Sequence, residues 1–309
     1  MRLVVRRLFA ALVVVWAVMS TVFVLVHVVG DPAQATLGER ARPEQLAAFR
    51  ARHGLDQPLG ERYVQYVGAL ATLRLGTSYQ DGQPVAELLA RRLPRTALLG
   101  LMALTLELAL GLAAGVAAAL RRGRWLDRSL MALGSVGMAL PSFVIGLWLL
   151  GTFAFRLGWF PVGGYGLGLA EHVYHALLPA LTLALSGAAT YARLVRGEMV
   201  EALESDFLRA ARATGVSMGR LVLVHAARNA LLPVVALLGV SLRGLVSGAV
   251  VTETIFGWPG MGRLAVEAIS GLDLPVVLGI VFVACVVVQL GTVGCDLALA
   301  ALDPRLRDR

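Results

Sequence analysis

The chain has 309 residues, 58% of them hydrophobic and 16% charged, with a mean hydropathy of +0.74. That balance excludes an ordinary soluble domain and puts most of the chain in a bilayer. The net charge of +8 comes from 28 basic residues, all arginine, and their placement argues against a nucleic-acid partner.

Apolar runs long enough to cross a membrane are expected at Leu8–Val29, Thr96–Leu120, Ser129–Phe155, Ala176–Tyr191, Leu231–Val251 and Val276–Ala301. An even number of spans leaves both ends on one side. The first run, roughly 22 residues, exceeds the ~7–15 of a secretory signal core, so it reads as a retained anchor despite the cleavage-like Ala33-Gln34-Ala35. Residues 30–95 form the one long segment outside the spans. Short helices are expected there at Pro43–His53 and Glu61–Leu73, with a turn at Asp81–Pro84. This segment is open to three readings: a folded cap, a docking platform for an extracytoplasmic receptor, or a packing spacer.

The arginines are distributed unevenly. Arg2, Arg6 and Arg7 precede the first span, and Arg121, Arg122, Arg124 and Arg128 lie between the second and third. Arg193, Arg196, Arg209, Arg212, Arg220 and Arg228 lie between the fourth and fifth, and Arg305, Arg307 and Arg309 close the chain. The short connections on the other side hold only Arg156 and Arg263. Lys and Arg accumulate on the cytoplasmic side, so both termini and the 193–233 loop are expected there; long loops such as 30–95 cross regardless of charge.

The loop at 193–233 is the most informative stretch. From Val200 to Thr214, Leu203, Phe207, Leu208 and Ala211 recur at helical spacing. Glu198, Glu201, Glu204 and Asp206 come before Arg209 and Arg212, an order that suits the helix dipole. Gly215 suits a helix end and Ser217 the cap of a next helix. An amphipathic helix–Gly–helix between two spans is a docking element for a cytoplasmic partner.

The same stretch resembles the EAA loop of permease subunits of ABC importers, in the dipeptide/oligopeptide/nickel branch. Ala210, Ala211 and Gly215 fit the general pattern, Arg209 stands where the Glu would be, and Pro233 falls later than usual. The ending from His225 through Arg228 and Asn229 to Pro233 is similar to that branch. So are Gly30-Asp31-Pro32, the run Gly54–Leu59, Leu75-Gly76-Thr77-Ser78, the run Glu253–Gly262, and Asp303-Pro304-Arg305. Arg74 departs from the branch, which usually has an Asp there. The resemblance implies that Arg209, Ala210, Ala211, Gly215, Asn229 and Pro233 couple the chain to an ATPase. It also implies that Glu253, Gly257, Pro259 and Gly260 lie near an external gate.

Other constellations are weighed on their chemistry. A P-loop needs a lysine, and the chain has none, so any ATPase must be another polypeptide. Gly215-Val216-Ser217-Met218-Gly219 with His225 has the letters of a hydrolase elbow but lacks the strand it requires. Gly260-Met261-Gly262 lacks the βαβ unit of a dinucleotide site. Glu107 and Arg243 fall near the middle of the second and fifth spans, where charge is costly, and are read as an intramembrane polar pair. Asp296 sits near a span end. His172 and His175 make a two-ligand set at most, in an external loop, and no metal is expected. Cys285 and Cys295 are ~15 Å apart on a helix, too far for a disulfide. Trp258 reads either as part of the gate or as an interfacial anchor.

The reading is an all-α polytopic integral membrane protein with six transmembrane helices, the transmembrane domain of an ABC type I importer. Residues 1–95 are taken as the first helix with its external segment, 96–302 as the importer domain with a coupling loop near 193–230, and 303–309 as a cytoplasmic tail. By the resemblance it is a permease subunit without chemistry or cofactor of its own, in a bacterial or archaeal cytoplasmic membrane. Its expected partners are a second homologous permease, one or two ABC ATPase subunits, an extracytoplasmic binding protein and membrane lipid. An Ala/Gly/Leu/Val-rich lining favours a short peptide as cargo, with nickel or another small solute as the alternative. An intramembrane hydrolase built on Ser217 and His225 lacks an in-membrane Ser/His pair, and an ion-driven carrier would need inverted repeats or paired broken helices.

Overall fold

The computed structural model describes residues 2–38, 40–206, 217, 219 and 227–302, and the regular structure among them is helical. The first part comprises α1 (Arg2–Val29), α2 (Pro32–Leu37), α3 (Pro43–Arg52), α4 (Leu59–Ala71) and α5 (Val85–Leu120). Then come α6 (Trp125–Ala139), α7 (Ser142–Leu149) running into a π-helical stretch Leu150–Arg156, and α8 (Leu169–Glu204). The chain closes with α9 (Ala227–Ile255), α10 (Met261–Ser270) and α11 (Leu274–Leu302).

Four helices, α1, α5, α8 and α11, are individually long and apolar enough to cross a bilayer. Two bent pairs raise the number to as many as six. The expected single span Ser129–Phe155 is one of these pairs, α6 and α7, bent by 105°. The cause is Pro141, which pushes the residue before it out of the helical region. Leu140 is extended, with φ −85° and ψ 131°, and Pro141 caps α7. The other pair is α9, bent by 45° between Pro233–Val246 and Gly248–Ile255.

The expected short span Ala176–Tyr191 is the middle of the 36-residue α8. A helix of that length reaches about 54 Å, well beyond a hydrocarbon core of about 30 Å, so its charged ends lie outside the apolar layer. His172 and His175 accordingly sit in the first turns of α8 and not in a loop. The expected helix Val200–Thr214 is not continuous. Its first residues are the last turn of α8, which stops at Ser205 with ψ 147°. The remainder of that segment, 207–214, lies outside the described residues.

The chain divides into two compact units, one of Met1–Thr96 with Pro259–Gln289 and the other of Ala97–Trp258 with Leu290–Arg309. In the first, Val85 and Leu89 pack with Met261, Leu264, Val276 and Val277, while Met19 and Phe23 pack with Leu278 and the rings of Tyr63 and Tyr66. In the second, α8 is the central helix, packed against α6, α7 and α9. The α5 backbone approaches it at Gly111 and Gly115, a small-xxx-small pair of the kind that lets membrane helices touch. A Cβ at Gly111 would stand 2.5 Å from Tyr191 Cβ, and one at Gly115 2.8 Å from the Ala192 carbonyl oxygen.

Leu12, Trp16 and Leu25 of α1, Leu101 of α5 and Leu133 of α6 are exposed. Apolar faces of that extent are expected against lipid. Trp125 and Trp159, at the two ends of the bent pair, are also exposed and suit an interfacial belt. Trp258 does not: it is fully buried, which overturns the interfacial-anchor reading.

Candidate functional site

In the second unit, Glu107 points from the middle of α5 into the helix packing and is 4% exposed. It fits because α8 carries Gly187 opposite: a side chain there would overlap the Glu107 carboxylate. Ser241 of α9 donates its hydroxyl to Glu107 Oε1 at 2.9 Å, and the Tyr191 hydroxyl lies 3.0 Å from Ser241 Oγ. The group thus joins α5, α8 and α9. It borders a cavity of about 230 Å³ whose wall includes the hydroxyls of Ser142, Ser186 and Thr190 and the bare backbone of Gly244 and Gly248. An ionisable residue at this depth points to a functional site by default. The wall also includes the apolar side chains of Leu183, Leu237, Val240 and Leu245, so a few hydroxyls and one carboxylate offer hydrogen bonds to a polar solute without gripping it.

The expected partner of Glu107 was Arg243, whose side chain lies outside the described residues. Sequence reasoning missed Ser241, Ser186, Thr190 and Gly187. Their signal was faint: small hydroxyl and glycine residues are tolerated in apolar helices and raise no alarm in a hydropathy scan.

Arg209, Ala210, Ala211 and Gly215 of the coupling segment also lie outside the described residues, as does the side chain of Asn229, whose backbone is in α9. Pro233 is inside α9, where it opens the first arm of the bend. The approach to the loop is held by a clamp that the sequence did not announce. Arg196 of α8 grips Asp127 of α6 through both nitrogens, at 2.5 and 2.8 Å, and Asp127 also accepts the Gly123 N–H at 2.9 Å. Arg122 pairs with Glu204, and Arg193 donates to Ser135 Oγ at 2.5 Å. Arginines read as orientation markers are therefore also ties between α8 and the turn that follows α5.

The segment expected at an external gate is ordered and buried. Glu253 is fully buried, and its backbone carbonyl accepts the Trp258 N–H at 2.8 Å. Gly257 makes the turn with φ +57°. Trp258 packs with Leu99, Ala103, Ala176 and Ala180, and its ring meets Tyr165 edge-on at 4.9 Å. His172 stacks on Tyr165 at 3.7 Å and His175 Nδ1 is 3.0 Å from the Gly163 carbonyl, so both rings have structural partners. Among the described residues no three His, Cys, Asp or Glu side chains converge as metal ligands. In the first unit, the Pro259 carbonyl accepts from Arg95 at 3.4 Å, and Gly260 is the extended N-cap of α10.

The motifs of residues 30–95 are also explained in the first unit. Asp31 accepts the Ala33 N–H as the cap of α2 and pairs with Arg50. The Arg50 hydrogen bond holds the Asp31 carboxyl below its usual range. Ser78 donates to the buried Asp273 at 2.5 Å, and Asp273 accepts the Tyr79 N–H at 3.1 Å. Ser78 Oγ in turn accepts the N–H groups of Gln80 and Asp81, closing the turn before α5.

Residues 111–308 match the family described as binding-protein-dependent transport system inner membrane component, and residues 1–100 match its N-terminal companion. The chain is 35% identical over 305 residues to the glutathione transport system permease protein GsiC of Escherichia coli (strain K12), covering 98% of both chains. It is also 35% identical over 308 residues, 98% of both, to the probable peptide ABC transporter permease protein y4tP of Sinorhizobium fredii. Among solved structures it resembles an inward-facing MetNI methionine ABC transporter, with a TM-score of 0.58 and 18% identity over 71% of this chain and 98% of that one. That likeness speaks to the fold alone. With most of its length matched, this all-α polytopic chain belongs to the binding-protein-dependent transport system inner membrane component family, as a permease of the ABC importer type.

Proposed function

We propose that this permease forms one wall of the translocation pathway of an ATP-driven importer of short peptides delivered by an external binding protein. The observation that carries the reading is that relatives named for glutathione, itself a tripeptide, and for peptides align with 98% of the chain. The cavity at Glu107 supports it chemically. A peptide offers an ammonium, a carboxylate and amides, and a hydroxyl-rich wall with one carboxylate can meet these transiently while leaving the solute free to move on.

The remaining parts of the reading follow the sequence. Arg209, Ala210, Ala211, Gly215, Asn229 and Pro233 transmit closure of one or two ABC ATPase subunits, through a loop near 193–230. A second homologous permease completes the pathway. Glu253, Gly257, Pro259 and Gly260 stand near the external gate, both termini are cytoplasmic, and residues 1–95, 96–302 and 303–309 act as external-segment, importer and tail portions. Glu107 with Arg243 remains the intramembrane polar pair to test.

The experiment is uptake by vesicles holding the permease, its partners and the cognate binding protein, comparing labelled di- to pentapeptides with nickel. ATP-dependent, saturable peptide uptake is expected; nickel uptake without peptide uptake refutes the cargo. Gly215→Val should abolish uptake and stimulated ATP hydrolysis while the protein still inserts. Normal uptake by that variant refutes the coupling segment. External labelling of cysteines placed at 60 and 165, but not at 125 or 205, tests the orientation.

A further inference from the structure

A second pocket, of about 340 Å³, lies within the first unit and is not used by the transport reading. Its walls are unlike. One is apolar, made by Phe23 of α1, Leu70 of α4, Leu75, and Leu274 and Leu278 of α11. The other carries Arg62, Arg74, His53, Tyr66 and Tyr79.

The polar wall carries two guanidiniums, Arg62 partly buried and Arg74 exposed. Among the described residues neither Arg62 nor Arg74 forms an ion pair. Partial burial pulls the Arg62 guanidinium below its ordinary pKa. The Asp273 carboxylate, which acts on His53 and Tyr79, is already engaged by Ser78 and the Tyr79 N–H. Among the described residues the buried Tyr66 hydroxyl oxygen has no hydrogen-bond partner, an arrangement that ordinarily costs stability unless a ligand or water supplies one.

Depth decides what kind of anion fits. Phe23 is near the end of the apolar window Phe9–Val26, and Leu274 opens the window Leu274–Leu299. The pocket therefore stands where hydrocarbon gives way to water, the level of lipid head groups. An apolar wall continuing into two spans beside a pair of unmatched guanidiniums is the complement of an anionic amphiphile, and arginine binds phosphate bidentately.

We propose that this pocket holds the head group of an anionic phospholipid. Arg62 and Arg74 pair with the phosphate, Tyr66 donates its hydroxyl, and the acyl chains leave along Phe23, Leu274 and Leu278. The proposal is independent of the cargo and of the orientation. It is tested by native mass spectrometry of the purified full-length permease offered phosphatidylglycerol and phosphatidylcholine at equal concentration. The wild-type protein should retain phosphatidylglycerol in preference by about tenfold. The double substitution Arg62→Gln with Arg74→Gln should erase the preference, and Arg62→Lys with Arg74→Lys should keep most of it. Tyr66→Phe, which removes one oxygen, should lower retention severalfold and decides the matter if the double variant fails to fold. An unchanged preference in the glutamine variant, or in Tyr66→Phe where only that variant folds, overturns the proposal. Displacement of the lipid by millimolar inorganic phosphate would make this a free-phosphate site and also overturn it. So would the absence of any lipid preference in the wild type.

Discussion

Two buried carboxylates, Asp273 in the first unit and Glu107 in the second, are alike in exposure, at 3% and 4%, and unlike in how they are satisfied. Asp273 receives a hydroxyl from Ser78 and the Tyr79 N–H, with the Gln80 N–H at the limit of reach, 3.5 Å. Its donors come from the turn that starts α5, so it locks a fold. Glu107 has Ser241 as its described hydrogen-bond partner and faces a cavity. A carboxylate has about four acceptor positions. One that leaves several of them facing a cavity costs stability that packing elsewhere must offset, and it keeps hydrogen-bonding capacity for a passing solute. The difference separates an acid whose hydrogen bonds are met by the fold from one that keeps acceptor capacity toward a cavity.

The largest effect is expected where helix contact itself is removed. Gly111→Leu would drive a side chain into Tyr191 and the Ala188 carbonyl, destabilising the second unit by about 3 kcal/mol. Thermal unfolding in detergent measures this, and an unchanged transition would mean that α5 and α8 do not touch there.

Next is Asp273→Ala, which leaves the Ser78 hydroxyl and the Tyr79 N–H without their acceptor. A loss of about 2 kcal/mol is expected. Uptake per folded molecule should be unchanged, and a selective transport defect would place Asp273 in the mechanism instead.

Glu107→Gln should do the reverse. The amide oxygen can still accept from Ser241, so stability should move by less than about 1 kcal/mol. Peptide uptake should fall about tenfold, equivalent to about 1.4 kcal/mol, because the carboxyl group facing the cavity is gone. Equal uptake by variant and wild type would reduce Glu107 to a packing residue.

The smallest effect belongs to Asp31→Asn, at a half-exposed pair where solvent weakens the attraction. The Asp31 carboxyl is held below its usual value of 3.8 by Arg50, so its contribution is present above that value and fades as the pH falls through the lowered one. The variant should therefore melt slightly earlier than the wild type at neutral pH, and the two should converge in acid. A gap that persists at low pH would show that the Ala33 cap, not the charge, is what matters.

Hydropathy alone determined the all-α membrane class, because lipid leaves the backbone few alternatives to a helix and long apolar runs announce themselves. The short helices of residues 30–95 were also legible: the expected Pro43–His53 and Glu61–Leu73 fall within a few residues of α3 and α4, since such helices depend on neighbours in sequence. Pro141 lay in plain view, but its consequence, a bend of 105°, depended on α7 finding room against α8, which a one-dimensional scan does not weigh. The fate of Trp258 shows the same limit. An indole beside a Gly-Pro turn suits an interface, and only packing against Leu99, Ala103 and Ala180 made it a core residue. Glu107 stood out in the sequence because charge is rare in a span. Its partners did not, because Gly187 and Ser241 lie 80 and 134 positions away and are individually unremarkable in membrane helices. Composition and local chemistry settled which segments are helices, and tertiary packing alone decided which small residues meet Glu107, because that depends on which helix faces touch.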